Sequence, residues 1–252
     1  MNIDGQGVLI TGGASGLGLA TAAQLHSQGA LVTIVDLSAE AGVDAAQRIG
    51  PRCQFVRADV TNPADVESAL DAFGDTPVRV AVNCAGIAPP ARILGKRGPH
   101  DLDHFKKVVD INLVGTFNVL RLVAERMHRN EPDTDDRGVI VMTASVAAFD
   151  GQIGQAAYSA SKAGVHGLTL TAARDLAEHQ IRVMSVAPGI FETPMLLGLP
   201  EPAQKALGAA VPHPSRLGRP EEYAQLVAHL IANPMLNGET IRLDGAIRMP
   251  PK

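Results

Sequence analysis

The sequence predicts an α/β fold, a single domain on a doubly wound, seven-stranded parallel sheet with helices on both faces. Apolar runs recur at residues 8–10, 31–35, 54–57, 78–82, 139–142, 182–186 and 240–243. Amphipathic stretches alternate with them, the pattern of strands buried on both sides beneath crossover helices. A glycine-rich turn follows the first run, as expected where a strand hands over to a helix. No linker, low-complexity tract or solenoid-type repeat divides the chain, so its 252 residues read as one domain, 1–252.

The first unit runs from Val8-Leu9-Ile10 through Thr11-Gly12-Gly13-Ala14-Ser15-Gly16-Leu17-Gly18 into the helical pattern Leu17-Ala20-Ala23-Leu25. Gly12, Gly16 and Gly18, with Ser15 and Leu17 among them, allow a tight turn. A ligand's phosphates could there approach backbone N–H groups at the positive end of a helix. The spacing Gly-x3-Gly-x-Gly differs from G-x-G-x-x-G, and by itself it could be a plain turn. Asp36 adds to the signal: it closes the second run about 20 residues further on, where an acid binds ribose hydroxyls.

The third run leads to Asp59-Val60, and Asp59 is a candidate cap for a helix beginning near Pro63. The fourth leads to Asn83-Cys84-Ala85-Gly86, followed by a long Gly/Pro-containing loop before Leu102 that carries Lys96 and Arg97. Asn112 falls in the helical stretch Asp110-Ile111-Asn112-Leu113, where a polar residue could simply bond the local backbone. The fifth run ends at Ser145. A serine there serves as a helix cap or turn residue, or as a donor to a substrate carbonyl oxygen.

Thirteen residues on, Tyr158-Ser159-Ala160-Ser161-Lys162 places a phenol and an ammonium on one helical face. A free tyrosine ionises near pH ~10 and is a poor acid or base at neutral pH; a neighbouring cation favours the phenolate and is expected to lower that value. The sixth run leads to Pro188-Gly189. Residues 190–217 are then rich in Pro, Gly and Leu, with Met195, Leu196, Leu197 and Leu199 as an apolar cluster. They read as a mobile substrate lid or, more blandly, as a packed helix pair. The stripe Tyr223-Leu226-Val227-Leu230 fits a helix buried within one chain or between chains.

Composition removes other classes. The net charge is −4, from 22 Lys and Arg against 26 Asp and Glu, and no basic stripe recommends nucleic acid as a partner. The opening Met1-Asn2-Ile3-Asp4-Gly5-Gln6 runs straight into the first strand, and no apolar run approaches 18 residues. A soluble, cytoplasmic protein without a membrane partner is expected. Cys53 and Cys84 are the only cysteines, read as free thiols, and the eight histidines form no metal-binding motif.

Taken together, the turn at Gly12, Gly16 and Gly18, the segment Asn83-Cys84-Ala85-Gly86, Asn112, Ser145, Tyr158, Lys162 and Pro188-Gly189 resemble the short-chain dehydrogenase/reductase family over essentially the whole chain. Cys84 is a small departure from that family's usual Asn-Ala-Ala-Gly-like stretch. The resemblance implies a Rossmann fold and a catalytic set of Asn112, Ser145, Tyr158 and Lys162, with Ser145 and Tyr158 on the substrate. It places Gly12, Ser15, Gly16, Leu17, Gly18, Asp36, Asp59, Val60, residues 83–86, Tyr158, Lys162, Pro188, Phe191 and Thr193 along a nicotinamide cofactor. Asp36 would accept from both ribose hydroxyls of NAD and repel the extra phosphate of NADP, and neither Leu37 nor Ser38 is an arginine that would reward it.

Within that family, Ala144-Ser145-Val146-Ala147-Ala148-Phe149, Pro212-His213-Pro214-Ser215-Arg216-Leu217-Gly218, the segment 236–249 and the long loop after Gly86 resemble a branch that oxidises 3-hydroxyacyl-CoA reversibly. Some members of that branch also act on 17β-hydroxysteroids. Lys96 and Arg97 could then meet CoA phosphates, although two cations in such a loop are read first as solvated. Homotetramers are common in the family. Two alternatives stand beside this reading: a 3-oxoacyl-[acyl-carrier-protein] reductase, disfavoured by Asp36, and a non-catalytic scaffold subunit, disfavoured by the intact catalytic set.

Overall fold

The structure, a computed structural model, describes residues 1–96, 98–132, 135–198 and 200–251. Seven parallel strands form one sheet: β1 (Gly7–Thr11), β2 (Leu31–Asp36), β3 (Cys53–Arg57), β4 (Val78–Asn83), β5 (Gly138–Thr143), β6 (Ile181–Pro188) and β7 (Thr240–Leu243). Their spatial order is β3-β2-β1-β4-β5-β6-β7. This is the expected α/β Rossmann architecture, and each anticipated run became a strand.

Side-chain alternation explains the two-faced burial. On β1, Leu9 packs into one apolar cluster while Val8 and Ile10 pack into the other; on β4, Ala81 opposes Val80 and Val82 in the same way. One face is covered by α3 (Pro63–Asp71), α5 (Thr116–His128) and α6 (Ala156–Asp175). The other is covered by α1 (Gly16–Ser27), α2 (Ala39–Ile49) and α9 (Pro220–Ala232). Each buried Val, Leu or Ile contributes roughly 1.5–3 kcal/mol, so this double layer supplies most of the drive to fold.

Local chemistry sets the helix starts. Asn62 caps α3 by accepting from the Ala64 N–H, with Pro63 as the first helical residue. The anticipated Asp59 cap is therefore corrected: Asp59 Oδ1 accepts instead from the N–H and hydroxyl of Thr61, at 2.9 and 2.7 Å. The buried stripe of α1 is Gly18, Thr21, Ala22 and Leu25, displaced from the expected Leu17-Ala20-Ala23-Leu25. Glycine at 18 lets the helix press on the turn, since a Cβ there would lie 2.2 Å from Gly12 O. Tyr223, Val227 and Leu230 of α9 are buried within the chain itself, in the cluster shared with α1.

Some features were not anticipated. A short antiparallel hairpin pairs Leu94–Gly95 with Gly98–Pro99 in the long loop. Between α4 (Leu102–Val109) and α5 the helix widens into a π-turn at Asp110–Gly115. The segment 190–217 contains α7 (Pro194–Leu197) and α8 (Glu201–Ala209). No helix among the described residues is long and apolar enough to cross a membrane.

Candidate active site

The strand order reverses between β1 and β4, which opens a crevice at the carboxyl ends of the sheet. The glycine turn and residues 83–86 line it from opposite sides. Gly12 (φ +65°) packs so closely that a Cβ would lie 2.8 Å from Ala85 N. Ser15 is extended before α1, its side chain caps nothing, and the first helical turn carries no acid. The N–H groups at Gly16, Leu17 and Gly18 therefore meet no competing side-chain anion at the positive helix end.

Two further groups face the same crevice. Asp36 Oδ2 accepts from the Ala14 N–H at 3.3 Å and Oδ1 from the Ser38 N–H at 3.2 Å, which fixes the carboxylate beside the turn. Asn83 is 3% exposed, yet neither of its amide atoms has a partner among the described residues. A buried amide left unsatisfied at a strand end is unusual and suits a polar ligand. Phosphate cradle, ribose acid and orphaned amide together fit a dinucleotide. Val60, buried beside Asp59, has its carbonyl held by Asn118 Nδ2 at 2.8 Å.

The chemical end of the crevice lies beyond β5. Ser145 caps the short 3-10 turn Val146–Ala148, its Oγ accepting from the Ala147 N–H at 3.1 Å, so the capping role is real. The same hydroxyl lies near enough to the Tyr158 phenol to favour its ionised form. Tyr158 sits in the first turn of α6, and Lys162 follows one turn later with Nζ 5.9 Å from the phenol ring centroid. Lys162 is buried and donates to the Thr143 carbonyl at 2.7 Å.

Electrostatics departs from the expectation for the tyrosine. Burial pushes the Tyr158 phenol above its ordinary value, with the Ser145 hydroxyl pulling the other way. Lys162, its Nζ 5.9 Å from the ring centroid, does not offset that burial. Burial instead pulls Lys162 down to about 8, the nearby Cys84 thiol opposing the fall. Tyr158 therefore rests as a neutral phenol at neutral pH, in the form that donates a proton.

Asn112, in the π-turn, is fully buried. Its Oδ1 accepts from the Ile87 N–H and its Nδ2 donates to the Ile87 carbonyl, both at 2.8 Å, and Nδ2 also reaches Ser161 Oγ at 3.1 Å. Ser161 Oγ donates to the Tyr158 carbonyl at 2.8 Å. Asn112 thus clamps the loop after Gly86 to the helix that carries Tyr158 and Lys162. Gly86 faces the same clamp: a Cβ there would lie a tight 3.1 Å from Asn112 Oδ1 and in ordinary contact, 3.6 Å, with Lys162 Nζ.

Sequence reasoning missed the layer beneath. Thr143 Oγ1 and Tyr223 OH lie 2.7 Å apart, and the Cys84 thiol is 3.6 Å from each. Burial pushes that thiol up, and both cysteines are free. Thr143, Tyr223 and Cys84 stand 59 to 139 positions apart, so no local pattern could have joined them.

At the far side, Pro188 pairs with Leu243 across β6 and β7, and Gly189 abuts Asp244, where a Cβ would come within 2.9 Å. Phe191 is buried and bridges to Gly218. Thr193 precedes α7 and touches the glycine turn, its Cγ2 lying 3.4 Å from where a Gly16 Cβ would stand. The other end of this segment is held by a bidentate pair of Arg216 with Glu222 at 2.9 and 2.6 Å. Lys96 is exposed on the hairpin; Arg97, Leu199 and the side chain of Met195 lie outside the described residues.

Comparison with known proteins places this geometry. The family profile described as short chain dehydrogenase matches residues 6–203. The chain is 56% identical to 3-hydroxyacyl-CoA dehydrogenase type-2 of Homo sapiens over 99% of this chain and 98% of that one. A 3-oxoacyl-[acyl-carrier-protein] reductase of Thermotoga maritima is 36% identical over 98% and 99%. Among solved structures, 3-hydroxyacyl-CoA dehydrogenase type-2 from Mycobacterium avium superposes with a TM-score of 0.95 at 44% identity, covering 100% of this chain and 99% of that one.

Proposed function

The chain belongs to the short chain dehydrogenase family, and from that membership we propose that it is an NAD-dependent oxidoreductase, reversibly converting 3-hydroxyacyl-CoA to 3-oxoacyl-CoA. The observation that carries the chemistry is the convergence of Ser145, Tyr158 and Lys162 at the end of β5. The substrate class is supported by full-length similarity to enzymes named for it. Other secondary alcohols such as hydroxysteroids fall within the same chemistry.

NAD, when bound, exchanges a hydride with the carbon that carries the hydroxyl. The chain's own residues do the rest. Ser145 donates to the substrate oxygen, and Tyr158 gives that oxygen a proton in reduction or takes one in oxidation. Lys162 keeps donors beyond the one spent on Thr143, and these serve the phenolate and the nicotinamide ribose. Asn112 holds the helix and the loop after Gly86 in register and, by family resemblance, supports a water-linked proton path to Lys162. Gly12, Ser15, Gly16, Leu17 and Gly18 take the pyrophosphate. Asp36 takes the adenosine ribose and Asp59 with Val60 the adenine, while residues 83–86, Pro188, Phe191 and Thr193 line the rest.

The segment 190–217 acts as the substrate lid of this one domain, anchored by the Phe191–Gly218 bridge and the Arg216–Glu222 pair. A homotetramer belongs to the same reading, supported by the exposed apolar side chains of Val114, Phe117 and Leu170. So do a cytoplasmic setting, consistent with two free thiols, and a place in fatty acid metabolism.

The test is nicotinamide absorbance with acetoacetyl-CoA, NADH and NADPH run in parallel, and acetoacetyl-carrier protein as control. NADH-dependent reduction of the CoA ester is the expected result. NADPH-dependent turnover of the carrier-protein substrate alone would replace it with the reductase reading, and no turnover with any of them would remove the acyl assignment.

A further inference from the structure

We propose that Arg57 is a second determinant of cofactor choice, an arginine delivered by the neighbouring strand that would hold the 2′-phosphate of NADP and whose influence Asp36 masks. The proposal rests on the adenosine ribose lying at Asp36, as in the reading above. Asp36 and Arg57 are direct partners in the parallel pair of β2 and β3. Partners in register leave the same face of a sheet with their backbones about 4.8 Å apart. The side chain that fixes the ribose therefore has an arginine for its immediate neighbour.

The arginine is aimed at the same segment. Its Nε donates to the Leu37 carbonyl at 3.3 Å, which ties the guanidinium to the residue that follows Asp36. Arg57 is exposed and forms no ion pair among the described residues. Asp36, for its part, spends its oxygens on the Ala14 and Ser38 N–H groups. Two opposite charges thus stand on register partners of adjacent strands, each held to backbone at the end of β2.

A ribose diol donates hydrogen bonds and suits the carboxylate. A 2′-phosphate accepts them, is repelled by the carboxylate, and matches the planar fork of a guanidinium. With Asp36 in place the repulsion prevails and NAD is favoured. Once that charge is neutralised, a phosphate partner is already present, so a single substitution suffices to admit NADP(H).

The experiment is titration of NADH and NADPH by nicotinamide fluorescence on the full chain, its Asp36→Asn and Arg57→Ala variants and the double variant, reading the ratio of the two dissociation constants. Asp36→Asn should lower the NADPH-to-NADH ratio about tenfold or more, and adding Arg57→Ala should raise it again about tenfold, the size of one charge-assisted contact. Arg57→Ala alone, a surface change that does not threaten the fold, should leave the ratio of the parent chain nearly unchanged, because Asp36 already disfavours the phosphate. Equal ratios for Asp36→Asn and the double variant would overturn the proposal. Failure of the parent chain to bind either dinucleotide would overturn the cofactor reading beneath it, and this proposal with it.

Discussion

Lys162 donates to the Thr143 carbonyl at 2.7 Å, and Thr143 in turn shares a 2.7 Å hydrogen bond with the hydroxyl of Tyr223, which is fully buried. The lysine proposed to serve the cofactor and the phenol is thereby fixed to the last residue of β5, and β5 is braced from behind by α9. Rigid elements, rather than loops, set the position of its ammonium, which is what a proton-transfer site requires.

That burial makes stability depend on pH. Lys162 falls from an ordinary 10.5 to about 8 in the folded chain, so between those values the unfolded chain holds a proton that the folded chain has released. Stability therefore rises with pH across that window: the cost of burying the ammonium, about 3 kcal/mol, is full below pH 8 and gone above 10.5. Lys162→Met removes the titration. Thermal unfolding at pH 7 and pH 10 should show the parent gaining on the variant at the higher pH; a constant difference would contradict the assignment.

Asn112→Ala would strip both hydrogen bonds from the Ile87 backbone and the tie to Ser161. Unsatisfied groups at a partly buried segment cost about 2 kcal/mol or more, a fall of roughly 4–8 °C in Tm for a chain of this size. Turnover should fall with it, because the tie to the catalytic helix is lost. An unchanged Tm by calorimetry would show that the clamp does not hold the loop.

Arg182→Met addresses a different anchor. The Arg182 guanidinium is buried and pairs with Asp136 Oδ2 at 2.9 Å while donating to the carbonyls of Leu230, Ile231, Asn233 and Leu236 at the end of α9. Removing it leaves a buried carboxylate uncompensated, a loss of about 3–5 kcal/mol. The midpoint in urea should drop accordingly, and Arg182→Met with Asp136→Leu should recover part of the loss. A single variant as stable as the parent would refute the role.

The sheet was legible because parallel strands buried on both faces read as continuous apolar runs, and all seven emerged within two residues of their expected ends. Asp36, Ser145, Tyr158 and Lys162 were legible because each stands at a strand end or one helical turn from another. What stayed hidden is set by register and by distant packing. Arg57 meets Asp36 only through the β2–β3 pairing, and Tyr223 looked like one more apolar residue of a helical stripe until its hydroxyl found Thr143. The hydrogen bond of Asn112 to Ser161 crosses 49 positions, and the π-turn that aims it leaves no periodicity to read.

The most direct test of the central claim is the turnover of Tyr158→Phe, measured beside NADH binding to the same preparation. Loss of the proton-transferring hydroxyl should lower the rate by about 10²–10⁴-fold while NADH still binds. A rate equal to that of the parent chain would mean that Tyr158 does not transfer the proton, and the mechanism built on it would fall.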